Sequence, residues 1–233
     1  MDAPYALYGI AAAAVLSLAA AVALLVAGWW LGWLVLVSGV YSALSAASFA
    51  YTTLRGKFVV WRRELAGSAA SGSVASAALD LGCGRGAVLV LAAAVAGRVT
   101  GVDLWRSVDQ SGNDEARTRA NLVAAGVSDR VDLITADLRD LPLAGGAYDL
   151  VVSSLAIHNI PDAAGREVAV GEAYRVLAPG GRLLIADFRH APAYAAVLTG
   201  LGAAQVSVRG LGWRFWYGGP WAATSMLTAR RPG

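Results

Sequence analysis

The chain has 233 residues, enough for one ordinary domain and an addition to it. Hydrophobic residues make up 57% and charged residues 15%, far from the balance of a typical soluble domain; the net charge of +3 comes without a dense Lys/Arg stripe, so a nucleic-acid partner is not indicated. The single cysteine, Cys83, excludes an internal disulfide and fits a reducing compartment, and two histidines, His158 and His190, are too few for a histidine-based metal cluster.

The apolar excess lies at the start of the chain. Between Tyr5 and Leu54 there is no Asp, Glu, Lys or Arg. Such a run is too long for one bilayer crossing and suits two, from about Leu7 to Ala27 and from about Trp33 to Thr53, each of roughly the 20 residues that a helix needs to cross the hydrocarbon core. Between them, Gly28-Trp29-Trp30-Leu31-Gly32-Trp33 combines glycines that allow a turn with tryptophans that prefer the membrane–water boundary. Gly39, Ser42, Ser45 and Ala46 would let the second span pack closely on the first. A cleaved signal peptide would need a basic n-region, which Met1-Asp2-Ala3-Pro4 lacks. A buried helical hairpin of a soluble protein is the other alternative.

Arg55, Lys57, Arg62 and Arg63 follow the second span and mark that side as cytoplasmic, which puts the N-terminus and the remaining chain there too. Phe58, Val59, Trp61 and Leu65 among these bases predict a short amphipathic helix, lying on the membrane or capping the next domain. Gly67 to Ser73 has the composition of a flexible linker. The expected organisation is two transmembrane helices over 1–54, an amphipathic helix and linker over 55–73, and one α/β domain over 74–233.

That domain opens on Leu79-Asp80-Leu81-Gly82-Cys83-Gly84-Arg85-Gly86. An apolar lead from Val74 runs into an acid, then into glycines at every second position, and a helix-forming run from Ala87 to Ala96 follows. This is a strand, a tight turn and a helix N-terminus, where glycines admit φ > 0 and a ligand can approach the backbone. A dinucleotide fold spaces its glycines G-x-G-x-x-G and seats a pyrophosphate. Here the spacing is G-x-G-x-G, and Asp80 would repel a pyrophosphate but pair with an ammonium. S-adenosylmethionine (SAM) carries an ammonium and no phosphate, so the turn favours it over NAD.

Arg98 to Asp103 predicts a second strand ending in an acid, about 20 residues past the glycines, the spacing at which a carboxylate meets ribose hydroxyls. Leu104 and Trp105 follow, placed to lie against an adenine face. A polar, turn-rich stretch from Arg106 to Asn113 precedes a helix over Asp114 to Ala125, which Gly126 stops. Val131 to Asp137 and Tyr148 to Ser154 predict the third and fourth strands, the latter a continuous apolar run of the buried parallel kind. Ligands in open α/β sheets bind beyond the carboxyl ends of strands, so His158 and Asn159, just past the fourth strand, point towards the chemistry. A helix from about Ala163 to Leu177, a Pro179-Gly180-Gly181 turn and a strand from Arg182 to Asp187 complete a doubly wound, mostly parallel sheet.

In order, Asp80 to Gly86, Gly101-Val102-Asp103, Ala136-Asp137, Tyr148 to Val152 and Arg175 to Ile185 resemble the motifs of the class I SAM-dependent methyltransferases, over about Val74 to Asp187. The resemblance implies a Rossmann-like fold with an antiparallel pair at one edge, SAM as cofactor, S-adenosylhomocysteine as product and no metal. It implies that Asp80 and the backbone of Gly82, Cys83, Gly84 and Gly86 hold the methionine end, Asp103 the ribose, and Asp137 with Leu138 the adenine, beside the face expected of Leu104. Ser153 and Ser154 would sit near the sulfonium. For each acid the alternative is a helix cap or a surface ion pair, and for the serines a structural role.

His158 could serve as a general base, its free pKa near 6.5 suiting the task, or only shape the pocket. His190 beside Arg189 could contact an acceptor or lie at the surface. Near the C-terminus, Trp213, Phe215, Trp216, Tyr217 and Trp221 crowd a turn-rich segment between two predicted strands, Ala204 to Val208 and Thr224 to Ala229. This segment could wall an acceptor pocket through Trp216, dock on the bilayer, or plug the fold. The resulting expectation is a membrane-anchored methyltransferase acting on a small, lipophilic acceptor, with lipids as its other partner. A soluble acceptor, a non-catalytic SAM-binding subunit and a nicotinamide oxidoreductase are the alternatives; Asp80 argues against the last.

Overall fold

The charge-free run folds as two helices, α1 (Pro4–Val26) and α2 (Leu31–Tyr51), joined by a turn in which Gly28 takes φ +77°. The structure, a computed structural model, describes residues 4–69, 75–107 and 110–233. Residues 70–73 of the expected linker, Val74 of the lead into the first strand and residues 108 and 109 of the polar loop lie outside the described residues. The chain divides into two compact units, one of residues 1–59 with 212–223, the other of 60–211 with 224–233.

In the first unit α2 lies against α1 through its glycines. A Cβ on Gly32 would come within 2.6 Å of Leu25, and one on Gly39 within 2.9 Å of Leu18, so only glycine permits this helix spacing. Ser45, expected on the same seam, instead faces Gly218. Only 11% of each helix's most apolar stretch is buried. Both helices therefore turn an uncharged, apolar surface outwards, the opposite of a soluble core helix.

The chain continues through a π-helical turn (Thr52–Gly56) into α3 (Lys57–Ala69), which extends into the expected linker. From Val60 on, α3 belongs to the second unit. Trp61 and Leu65 are buried, the Trp61 indole donates to the Ser154 hydroxyl at 3.0 Å, and Glu64 pairs with Arg209. The amphipathic helix thus caps the sheet domain.

That domain is a seven-stranded sheet in the order β3-β2-β1-β4-β5-β7-β6, with β1 (Ala75–Leu81), β2 (Ala96–Asp103), β3 (Val131–Thr135), β4 (Tyr148–Ser154), β5 (Leu177–Phe188), β6 (Ala204–Gly210) and β7 (Thr224–Arg230). The first five are parallel, and β7 runs antiparallel to both β5 and β6. Helices α4 (Ala87–Ala92), α5 (Glu115–Ala124), α6 (Ala163–Val176) and α7 (Ala191–Gly200) connect the strands. α4 is shorter than its apolar run predicts, because β2 starts at Ala96, paired with Ala75. Asp114 caps α5 and Asp162 caps α6, their side chains accepting from Arg117 N–H and Gly165 N–H.

The strand order reverses between β1 and β4, and the crevice beyond their carboxyl ends is the expected ligand position. Leu79, Val151, Leu183 and Ile185 fill the core beneath it with Tyr174 and Tyr194 from the helices. Leu183→Ala removes a fully buried side chain from this core and is expected to cost about 2–5 kcal/mol, read as a lower urea midpoint of the detergent-solubilised protein. A change below about 0.5 kcal/mol would mean that β5 is not central to the core.

Candidate active site

The turn after β1 folds tightly because Gly82 and Cys83 both donate to the Val102 carbonyl, at 2.8 and 3.1 Å. Gly82 lies so close to Ala156 that a Cβ would fall 2.1 Å from the Ala156 side chain. From α5, the Thr118 hydroxyl donates to the Gly84 carbonyl at 2.8 Å and the Asn121 amide to the Arg85 carbonyl at 2.9 Å. The Gln110 side-chain carbonyl accepts from Arg85 N–H at 3.1 Å. The turn is therefore held from both sides with its backbone aligned.

Asp80 stands at its root. It is 1% exposed, and among the described residues neither carboxylate oxygen has a partner within hydrogen-bond geometry. Burial raises its pKa to about 8, the nearby charge of Asp103 adds to the rise, and the Leu89 N–H, directed at it from outside that geometry, opposes the rise only in part. A carboxyl buried without a partner is costly. It is the group that a cationic ligand would satisfy. Cys83 is buried beside it, its thiol pushed up by burial and by the charges of Asp80 and Asp103, and is thus an inert packing group.

Asp103, at the end of β2, accepts from Gly84 N–H at 2.8 Å, Trp105 N–H at 2.7 Å and the Asn113 amide at 3.0 Å. Three of roughly four acceptor positions on the carboxylate are filled, which leaves about one for a ligand hydroxyl. Leu104 is exposed, and the Trp105 indole is tied to the Thr135 hydroxyl at 2.8 Å. Asp137 forms a two-oxygen ion pair with Arg139, whose hydrogen bonds hold its pKa below the usual carboxylate range. Leu138 joins the core and packs towards Gly82. Ser153 is sealed inside, its hydroxyl donating to the Leu81 carbonyl at 2.9 Å, so it ties β4 to β1.

His158 sits in a short 3-10 turn after β4, with Asn159 partly exposed beside it. Its Nδ1 is 2.5 Å from Oδ1 of Asp187, and its backbone N–H donates to the other oxygen at 3.0 Å. Asp187 is buried at the end of β5 and also accepts from Phe188 N–H at 2.8 Å and the Tyr194 hydroxyl at 3.3 Å. The Tyr194 phenol is pushed upwards by burial and by Asp187, so it stays a donor. A carboxylate held by four donors fixes the His158 ring through Nδ1, and among the described residues Nε2 has no partner. Asp187 and Tyr194 carry no motif that marks this role. The acid at a strand's carboxyl end was the available signal.

His190 lies at the start of α7, its ring centroid 6.2 Å from that of Tyr194. Trp216 does not join the sheet domain; it belongs to the unit of α1 and α2, its carbonyl accepting from the Ser48 and Thr52 hydroxyls. Trp105, Leu155 and Arg189, with φ near +57°, each follow the carboxyl end of a strand, β2, β4 and β5. Such strain in non-glycine residues collects where a fold shapes a site. Among the described residues no group of three or more His, Cys, Asp or Glu is placed to hold a metal ion.

Residues 79–185 match a family described as a methyltransferase domain. The chain is 36% identical to the 27-O-demethylrifamycin SV methyltransferase of Amycolatopsis mediterranei over 120 residues, which are 51% of this chain and 41% of that protein. It is 40% identical to the ubiquinone/menaquinone biosynthesis C-methyltransferase UbiE of Cereibacter sphaeroides over 78 residues, 34% of this chain and 29% of that one. The chain thus spans less than half the length of these curated relatives. Among solved structures, the N-methyltransferase NodS of Bradyrhizobium japonicum with S-adenosyl-L-homocysteine shares the fold, with a TM-score of 0.59 at 18% identity over 74% of this chain and 86% of that one.

The Asp80 carboxyl carries a pH dependence. Its proton is held up to about pH 8 in the folded protein, against an ordinary value of 3.8. Over that interval the folded state binds more protons than the unfolded one, so the stability of the ligand-free protein falls as pH rises. The melting temperature should drop between about pH 5 and about pH 8, and Asp80→Asn should flatten that drop. An unchanged slope in the variant would remove Asp80 as its source.

Proposed function

We propose that this chain, whose residues 79–185 are a methyltransferase domain of the class I SAM-dependent family, is a membrane-anchored enzyme that methylates a small, lipophilic acceptor. The observation that carries the SAM assignment is Asp80, a buried carboxyl whose two oxygens have no hydrogen-bond partner among the described residues, beside a glycine turn at the strand-order reversal. An ammonium satisfies that group, and a pyrophosphate does not.

When bound, SAM supplies a sulfonium methyl open to direct displacement by an acceptor lone pair, with S-adenosylhomocysteine as the product. Asp80 and the backbone of Gly82, Cys83, Gly84 and Gly86 take the methionine end. The open lone pair of Asp103 takes a ribose hydroxyl, with Leu104 and Trp105 beside it. Asp137 and Leu138 border the adenine side, and Ser153 holds β1 and β4 together beneath the site. His158 Nε2 removes the proton from the attacking atom, and buried Asp187 stabilises the imidazolium that forms. Asn159 and His190 border the acceptor. Positioning supplies most of the catalysis.

The anchor rests on two apolar helices, Pro4–Val26 and the helix from Leu31, each long enough to cross a bilayer. With Arg55, Lys57, Arg62 and Arg63 beyond the second, the sheet domain lies in the cytoplasm. By their names, the relatives methylate 27-O-demethylrifamycin SV and act in ubiquinone/menaquinone biosynthesis, in keeping with a small-molecule acceptor here.

Transfer of labelled methyl from SAM to a membrane-containing cell extract tests this reading. Label should partition into the organic phase; label only in the aqueous phase would replace the lipophilic acceptor with a soluble one. No label despite bound SAM would make the chain a binding subunit. His158→Ala should lower turnover by about 10²–10⁴ with SAM affinity unchanged. A loss of less than about tenfold would reduce His158 to shaping the pocket.

A further inference from the structure

Residues 212–223, between β6 and β7, fold with the two apolar helices. Their contacts step along α2 in one direction. The Trp213 ring stacks on Tyr51 with centroids 5.1 Å apart. The Arg214 carbonyl lies where a Cβ on Gly56 would meet it at 2.0 Å, so only glycine admits this approach. The Trp216 carbonyl accepts from Ser48 at 3.2 Å and Thr52 at 2.7 Å. Tyr217 meets Phe49 edge-on at 5.3 Å, Gly218 faces Ser45, and Trp221 stacks on Tyr41 at 5.1 Å. From Tyr51 back to Tyr41 the helix rises about 15 Å, so the segment follows α2 for that distance.

It then turns back. Ala222 N–H donates to the Gly219 carbonyl at 3.0 Å, Tyr217 N–H to the Ala222 carbonyl at 3.2 Å, and Trp216 bridges to Ala223. The tip is Gly219-Pro220-Trp221, with Pro220 and Trp221 exposed. No Asp, Glu, Lys or Arg occurs from Phe215 to Ala229. Irregular backbone survives at membrane depth only where protein satisfies it, and here the Ser48 and Thr52 hydroxyls and the hairpin's own bonds do so. Arg214, the segment's one charge, lies over the Trp213 ring at 4.6 Å, at the end of α2 where Arg55 and Lys57 begin. A groove of about 480 Å³ runs between hairpin and helix, lined by Tyr41, Leu44, Ser45, Ser48, Trp216 and Trp221 among others. Its volume is that of a small-molecule site, roughly 300–1,000 Å³.

We propose that residues 212–223 are a third membrane-embedded element, a hairpin that enters one leaflet alongside the second span, and that the groove between them seats a single hydrocarbon chain. This rests on the membrane reading of α1 and α2. The occupant is the acyl chain of a bilayer lipid: no charged residue lines the groove, and with both of its walls in the bilayer, lipid tails are what surround it.

The full-length protein in phosphatidylcholine vesicles tests both parts. An environment-sensitive fluorophore is attached to Ala222→Cys or to Val37→Cys; Val37 is exposed at the middle of α2 and the native Cys83 is buried. Lipids brominated along the acyl chain should quench both positions. Quenching at Val37 alone, with Ala222 open to aqueous iodide, would overturn the hairpin and leave the anchor standing. Quenching at neither would overturn both. For the groove, a phosphatidylcholine and an isoprenoid alcohol, each carrying a mid-chain diazirine, are photolysed in separate vesicles. Label from the phosphatidylcholine should concentrate on residues 41–51 and 213–221; label there from the isoprenoid alcohol alone would overturn the lipid acyl chain as occupant. Leu44→Trp should lower the phosphatidylcholine label there severalfold while α1 labelling persists. Label spread evenly over α1 and α2, or unaffected by Leu44→Trp, would overturn the groove.

Discussion

A carboxyl group is buried at the centre of the sheet where no described residue hydrogen-bonds to it. Asp80 ends β1 at the point where the strand order reverses, next to a turn whose carbonyls are claimed by Thr118 and Asn121. Its neighbour Asp103 is in the opposite state, filled by three donors. The two acids divide the work. Asp103 shapes the turn through Gly84, and Asp80 is left as a deficit that a cation corrects. With its pKa raised to about 8, the ligand-free carboxyl holds its proton at neutral pH, and a cation bound beside it would favour the ionised form.

A second acid shows the same logic inverted. Asp187 is as deeply buried as Asp80 but accepts from four donors, and that satisfaction makes it rigid. One donor is the His158 ring, which is thereby oriented with its second nitrogen unengaged. Left-handed backbone at Trp105, Leu155 and Arg189 bends the chain sharply as it leaves the carboxyl ends of β2, β4 and β5, strands on both sides of β1.

The helical unit meets a different constraint, the satisfaction of backbone polar groups in an apolar setting. α2 resolves it with two faces. Gly32 and Gly39 face α1 and permit close approach, while Tyr41, Ser45, Ser48 and Thr52, spaced to share one side of the helix, receive the aromatic hairpin. The hydroxyls there serve the Trp216 carbonyl, which also accepts from Gly218 N–H inside the hairpin.

The two long apolar helices, the strand–turn–helix around Asp80 and the acids closing β2 and β5 were legible in the sequence. They depend on local rules: apolar length, glycine spacing and the alternation of strands with helices. Which acid is satisfied was not legible, because it depends on donors brought from Trp105, Asn113, His158 and Tyr194 by chain crossings that no local pattern encodes. Ser153 has the position expected of a site residue, yet its hydroxyl is spent on the Leu81 carbonyl of the adjacent strand. The aromatic run near the C-terminus was visible as composition, but its three possible roles could not be separated until folding set Trp213 on Tyr51 and Trp221 on Tyr41. The sequence by itself determined the elements and the chemical groups at their ends; the tertiary structure decided which of those groups are paired, because pairing is a matter of distance between residues far apart along the chain.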